Sequence, residues 1–194
     1  FTLQVYPTVF HPKLYFSSRL LGEYVERLNL QNKRVLDFGT GSGIIGLCTA
    51  RAGADVLSVD VNPTAVECTR KNAEANSLNA KLEVRQSNLF SSVRADESFD
   101  YIVWNPPFYP KPATDMSSHA WNAGLIYDVI RRFASEAAKH LKPNGRVIII
   151  LSSDMDIPFI LSFFEQAGMK PLLRYSKRKL FETFSIYECG YATP

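Results

Sequence analysis

The stretch that decides the fold is "KRVLDFGTGSGIIGLCTARAG", residues 33–53. Its first part, "KRVLDFG", is a short apolar run stopped by glycine, which reads as a buried strand. Three glycines then alternate with Thr40 and Ser42, and "IIGLCTARAG" follows as a helix ended by Gly53. A strand, a tight glycine loop and a helix make the opening of a βα unit. The same alternation continues downstream. "DVLSVDV" is a second strand, and "NPTAVECTRKNAEANS" a helix with Asn62 as cap and Pro63 at the first helical position. "KLEVRQS", "FDYIVW" and the fully buried "RVIIILSS" are further strands.

The remaining runs complete the pattern. "WNAGLIYDVIRRFASEAAKHLKPNG" reads mostly as a helix closed by Pro143 and Gly145, and "IPFILSFFEQAGMK" as another. "PLLRYSKR" and "LFETFSIYECGY" are aromatic and β-branched, as strands are. Upstream, residues 1–16 form an irregular aromatic segment with Pro7 and Pro12. A helix over "SSRLLGEYVERLNL" follows, with Ser17 as its cap and Leu20, Leu21, Tyr24, Val25 and Leu28 at helical spacing. The expected fold is α/β: a doubly wound, mostly parallel sheet covered by helices on both faces. Right-handed crossovers collect the loops after the strands on one edge, where ligands bind. At that edge stand "DFGTGSG", "DVN", "SNLF" and "NPPF".

Composition sets the outer limits. The 194 residues suit one domain, and 46% hydrophobic with 21% charged residues supports a packed core. A net charge of +3 is too small to indicate a nucleic-acid partner. Cys48, Cys68 and Cys189 are few and far apart, as are His11, His119 and His140, so neither a disulfide framework nor a metal site is expected, and a reducing cytoplasm is. No apolar run reaches the roughly 18 residues of a membrane span, and no signal peptide is visible. The chain starts at Phe1 rather than Met, which leaves room for residues or a domain upstream.

Residues 41–46, G-S-G-I-I-G, match the dinucleotide fingerprint literally, with Asp60 near the place of a ribose-binding acid. A nicotinamide-dependent oxidoreductase is therefore one reading. The register opposes it. Counted from Gly39, the first glycine after the strand, the sixth position is Ile44. Asp37 would also bring negative charge towards a pyrophosphate, whereas it suits a ligand carrying an amino group. Asp60 can accept from both hydroxyls of a ribose; Asn88 can read an adenine edge or make a turn. Pro106 and Pro107 end the fourth strand and stiffen the backbone there. Asp128 and the short clusters "RRF" (131–133) and "SKRK" (176–179) read as solvated faces.

"VLDFGTGSG", "VDVNP" and "NPPF" together resemble class I S-adenosylmethionine-dependent methyltransferases, over about residues 33–151. The resemblance implies a Rossmann-like, seven-stranded sheet whose last strand is antiparallel. It implies one methyltransferase domain over 1–194, with an N-terminal segment and helix at 1–32 and a catalytic core at 33–194. It implies S-adenosylmethionine held by Asp37, Gly39, Thr40, Gly41, Gly43, Asp60, Val61, Asn88, Leu89 and Asn105. Asn105, Pro106, Pro107 and Phe108 match the tetrad (D/N)-P-P-(Y/F/W), which acts on nitrogens attached to planar carbons. Phe10, Pro12, Tyr15 and Phe16 are expected as a partial lid, and Trp121 near the acceptor.

"NPPFYPKPATDMSSHAWNAGLIYDVIRRF" is similar to the HemK-like protein glutamine methyltransferases. Phe108 where those enzymes usually have Tyr, and Asn88 where they usually have Asp, depart from that pattern. Phe108 is common in relatives that methylate exocyclic amines of bases. The acceptor is expected to be a protein glutamine, with a nucleic-acid base or a small molecule as alternatives. A partner subunit for substrate recognition is compatible with the chain's length.

Overall fold

The computed structural model describes residues 1–6, 9, 16–109, 111, 114 and 122–191. Twelve elements run in the order α1 (Phe16–Val25), β1 (Arg34–Phe38), α2 (Ile44–Arg51), β2 (Asp55–Asp60), α3 (Pro63–Ala75), β3 (Leu82–Gln86), β4 (Phe99–Trp104), α4 (Asp128–Ala137), β5 (Leu141–Ser152), α5 (Ile157–Gln166), β6 (Met169–Lys179) and β7 (Glu182–Tyr191). The strands form one sheet of order β3-β2-β1-β4-β5-β7-β6. The first five are mutually parallel, and β7 runs antiparallel to both β5 and β6. The sheet is therefore the mostly parallel, seven-stranded one that the sequence leads one to expect.

Alternation along the central strands buries both faces. Val35 of β1 joins one apolar cluster with Leu47 of α2, Leu21 of α1 and Ile148 and Ile150 of β5. Leu36 and Phe38 join the other with Phe133 of α4, Phe164 of α5 and Ile149. α1 packs on α2, and α4 on α5. From β1 the chain winds one way to β2 and β3, then returns to place β4 and β5 on the other side. The loops leaving β1 and β4 therefore part and open a crevice at their carboxyl ends.

α3 starts as its sequence dictates, with Asn62 Oδ1 accepting from Thr64 N at 2.9 Å and Pro63 in the first turn. Two other boundaries differ from the sequence reading. α1 begins at Phe16, so Ser17 is a buried residue of the first turn and not the cap, and the helix stops at Val25. α4 begins only at Asp128, after a tight turn in which Ile126 and Tyr127 both take left-handed φ values of 53° and 57°. Pro143 and Gly145 belong to the first part of β5, where the pairing with β4 jumps from Leu141 to Arg146. All three cysteines are buried. No helix among the described residues is long and apolar enough to cross a membrane.

The first residues are pinned to α3. The Asn72 side chain accepts from Gln4 N and donates to Gln4 O, both at 2.8 Å; Asn76 does the same for Thr2 at 3.1 and 2.8 Å. Two asparagines one helical turn apart thus satisfy alternate residues of an extended segment.

Candidate active site

Four loops meet at the carboxyl edge of the sheet and enclose a cavity of about 860 Å³. The loop after β1 is sewn to the end of β2: Gly39 N and Thr40 N both donate to Val59 O, at 2.8 and 3.0 Å. Gly39 and Gly41 have φ of 67° and 55°, the left-handed region that glycine enters without a Cβ penalty. A Cβ on Gly39 would also meet Trp104 Nε1 at 3.2 Å.

Asp60 closes β2 and lines the cavity. Its two carboxylate oxygens accept from Gly41 N and Asn62 N, each at 2.9 Å. It thus clamps the glycine loop while lining the cavity. Val61 and the exposed Asn88 line the same wall, with Leu89 at a left-handed φ of 51°.

Two of the ten expected cofactor residues do not face the cavity. Asp37 has 0% exposure and sits beneath the loop, where one oxygen accepts from Thr40 Oγ1 at 2.5 Å and from Ser58 Oγ at 2.9 Å. Burial pushes its carboxyl up to about 6, the hydroxyls of Thr40 and Ser58 pull it back, and the charge of Asp60 adds to the rise. The sequence reading gave Asp37 the amino group of a ligand; in the fold it anchors the loop from behind. Gly43 is the N-cap of α2, and a Cβ there would lie 2.9 Å from Thr69 Cγ2.

The far wall is the stretch after β4. Asn105, Pro106, Pro107 and Phe108 all line the cavity. Asn105 Nδ2 donates to Ser17 Oγ at 3.2 Å and Ser18 Oγ at 2.9 Å, and Asn105 Oδ1 is buried without a hydrogen-bond partner among the described residues. Phe108 stands 6.2 Å from Phe184, which is 5.4 Å from Phe16, so one aromatic row joins β4, β7 and α1. Beneath, Trp104 packs on Phe133 at 4.1 Å and on Phe38 at 5.2 Å. The backbone after the tetrad is tied across its base, with Ala123 N donating to Tyr109 O at 2.7 Å.

Phe16 takes its expected place at the cavity, whereas Phe10, Pro12, Tyr15 and Trp121 lie outside the described residues. One reading as solvated surface needs correction. Asp128 is half-buried, with Oδ1 unpartnered among the described residues; that carboxylate lies against Gly124, whose left-handed φ of 78° favours glycine. The cations of the clusters 131–133 and 176–179 are exposed, as read, and Arg132 and Lys179 also line the cavity wall. Sequence reading also missed Ser18, and missed Leu180 and Phe181 at the β6–β7 tip, which line the mouth. The capping pattern at Ser17 drew attention to that residue for a different reason.

The donor set suits S-adenosylmethionine: a glycine loop open to backbone approach, an acid at the end of β2, and apolar walls at Val61 and Leu89 for a flat base. Residues 1–170 match the protein family described as methyltransferase small domain. The chain is 34% identical over 160 residues to ribosomal RNA small subunit methyltransferase C of Chromohalobacter salexigens, covering 81% of this chain and 44% of that protein. It is 33% identical over 157 residues to a protein of Methanocaldococcus jannaschii provisionally named as a protein N5-glutamine methyltransferase, covering 78% and 76%. The chain thus spans less than half of the first relative and about three quarters of the second. Among solved structures, the E. cuniculi Mtq2–Trm112 complex, described as methylating the eRF1 termination factor, superposes with a TM-score of 0.74 at 24% identity over 95% of this chain and 99% of that one. The T. thermophilus 16S rRNA N2 G1207 methyltransferase superposes with a TM-score of 0.71 at 24% identity, over 95% and 45%.

Proposed function

Since the chain belongs to the methyltransferase small-domain family, we propose that this S-adenosylmethionine-dependent enzyme methylates a nitrogen bound to a planar, conjugated carbon, and that the acceptor is a protein glutamine side chain. The observation that carries this reading is Asn105, which lines the cavity and whose side-chain oxygen is buried and unpartnered among the described residues. An amide nitrogen is a poor nucleophile because its lone pair is delocalised. In this reading Asn105 Oδ1 accepts one N–H of the acceptor and the Pro106 carbonyl accepts the other. Two fixed acceptors orient the NH₂ group and favour the positive charge that grows on nitrogen. Phe108 covers the flat amide, and the prolines hold the acceptors still. The loop at 39–41, Asp60, Val61, Asn88 and Leu89 would hold the cofactor, whose sulfonium supplies an electrophilic methyl group.

Glutamine is favoured by the name of a relative, from Methanocaldococcus jannaschii, that this chain matches over most of both lengths. Arg132 and Lys179 at the cavity favour a second reading, the exocyclic amine of a nucleic-acid base. The test is labelled methyl transfer into cell extract, split into protease-treated and nuclease-treated halves. Label lost with protease and kept with nuclease is expected; the reverse defeats the glutamine reading. A base acceptor would also lose affinity steeply with salt through counterion release. We extend the proposal to a partner subunit that adds substrate recognition, checked by whether extract fractions raise the rate on the purified acceptor. Asn105→Ala is expected to nearly abolish turnover and leave S-adenosylmethionine affinity, measured by calorimetry, almost unchanged. Wild-type turnover in that variant would rule out the role given to Asn105.

A further inference from the structure

The side chain of Asn105 has two ends of similar shape and opposite function. One accepts hydrogen bonds and the other donates them. Rotation about its terminal bond is soft, and Pro106 and Pro107 stiffen the backbone without fixing that rotation. Turned one way, the amide offers an oxygen to an acceptor's N–H. Turned the other way, it sets donor against donor.

The chain supplies two groups that choose between these. Ser17 and Ser18, at 2% and 4% exposure, both accept from Asn105 Nδ2. The oxygen on the other end is left buried and, among the described residues, unpartnered. The hydroxyls sit on a helix that is itself held firmly. Leu20, Leu21 and Val25 are buried in the core that α1 shares with α2. Phe16 packs on Phe184 of β7, and Tyr24 OH donates to Glu188 Oε1 at 2.8 Å. Ser17 and Ser18 thus stand at a fixed distance from the stretch after β4.

We propose that Ser17 and Ser18 are positioning residues: by occupying the NH₂ end of Asn105 they turn its carbonyl oxygen towards the N–H of the methyl acceptor. This rests on the role given to Asn105 above. It makes α1 part of the reaction centre, whatever cover the preceding residues provide.

The test uses the Ser17→Ala/Ser18→Ala double variant, in the wild-type chain and in an Asn105→Asp background. A carboxylate presents an oxygen whichever way it turns, so it needs no such orientation. The double substitution is expected to lower methyl transfer into extract about 10- to 30-fold in the Asn105 chain. The loss should be under about threefold in the Asn105→Asp chain, with S-adenosylmethionine affinity steady in both. A merely structural role would cost the same in both backgrounds, and that outcome overturns the proposal.

A second readout does not depend on turnover. The Asn105 side-chain NH₂ signal in ¹⁵N spectra, assigned by its loss in Asn105→Ala, should be protected from solvent exchange and lose protection in the double variant. An unprotected NH₂ in the wild-type chain overturns the proposal, even if Asn105→Asp is inactive. If the double variant unfolds in urea below the wild-type midpoint, the two single variants are compared in the same way. Full turnover in Asn105→Ala would instead remove the proposed function, while the NH₂ protection would still decide whether the serines hold the amide.

Discussion

Glu97 and Asp37 are both buried carboxylates, and the fold treats them oppositely. Glu97 receives the Arg85 guanidinium on both oxygens, at 2.7 and 3.0 Å, and the Arg94 backbone N–H at 2.9 Å. Those bonds, Arg85 first, hold its carboxyl down at about 2 against the cost of burial. A carboxyl held below its unfolded value of about 4.3 contributes stability that is complete above that value and lost as pH falls through about 2. Glu97→Gln is expected to cost about 2–3 kcal/mol at pH 7 and to flatten this acid limb, as urea unfolding at pH 7, 4 and 3 would show. For Asp37, raised to about 6, the sign reverses. The folded state binds the proton more tightly, so the contribution is greatest below about pH 4 and shrinks as pH rises to 6. Relative to wild type, Asp37→Asn should therefore gain about 2–3 kcal/mol between pH 4 and pH 7. The sequence singles out Asp37 as a chemically significant residue, and the fold buries it behind the glycine loop. Period-two alternation turns it with Val35 towards α2, and how closely that helix approaches is set by Gly46. A Cβ there would lie 2.6 Å from Ser58 Oγ and 2.8 Å from Asp37 Oδ2. Such an approach distance has no signature in a single chain's spacing.

At the scale of elements, the strands were readable and the starts of α1 and α4 were not. Apolar runs bounded by glycine and proline marked β1, β2 and β4 because those strands are buried on both faces. α4 carries the helical period upstream into Leu125–Tyr127, but two consecutive left-handed residues break it there, a tertiary demand that overrides propensity. The β6–β7 tip is the element whose role is least visible from its residues. Leu180 and Phe181 are 80% and 95% exposed at the cavity mouth. Lys177 and Lys179 lie 5.6 and 4.9 Å from the Phe16 ring. Burying so little, Phe181 adds little to stability. Phe181→Asp should change unfolding free energy by less than about 0.5 kcal/mol and leave cofactor affinity unchanged. It should still weaken methyl transfer several-fold by spoiling the apolar rim; equal transfer by both proteins would show that the tip does not touch the acceptor.

For the whole molecule, the site is made by topology: four strand ends, the β6–β7 tip and residues of α1 and α4, none complete without the others. A ligand that bridges them binds the folded state alone. S-adenosylmethionine at 100 times its Kd should therefore raise unfolding free energy by about 2.7 kcal/mol, while NAD at the same concentration should not move the melting temperature. Equal shifts from the two would reopen the nucleotide reading of the glycine loop. The tie between α1 and β7 has a further consequence, for the order in which the protein is made. Tyr24 and Glu188 are 164 positions apart, so α1 leaves the ribosome long before Glu188 and Phe184 arrive to hold it. Until β7 is synthesised, the serines cannot settle against Asn105. In the proposed reaction, the cavity is therefore complete for cofactor and acceptor alike only once β7 has joined the sheet.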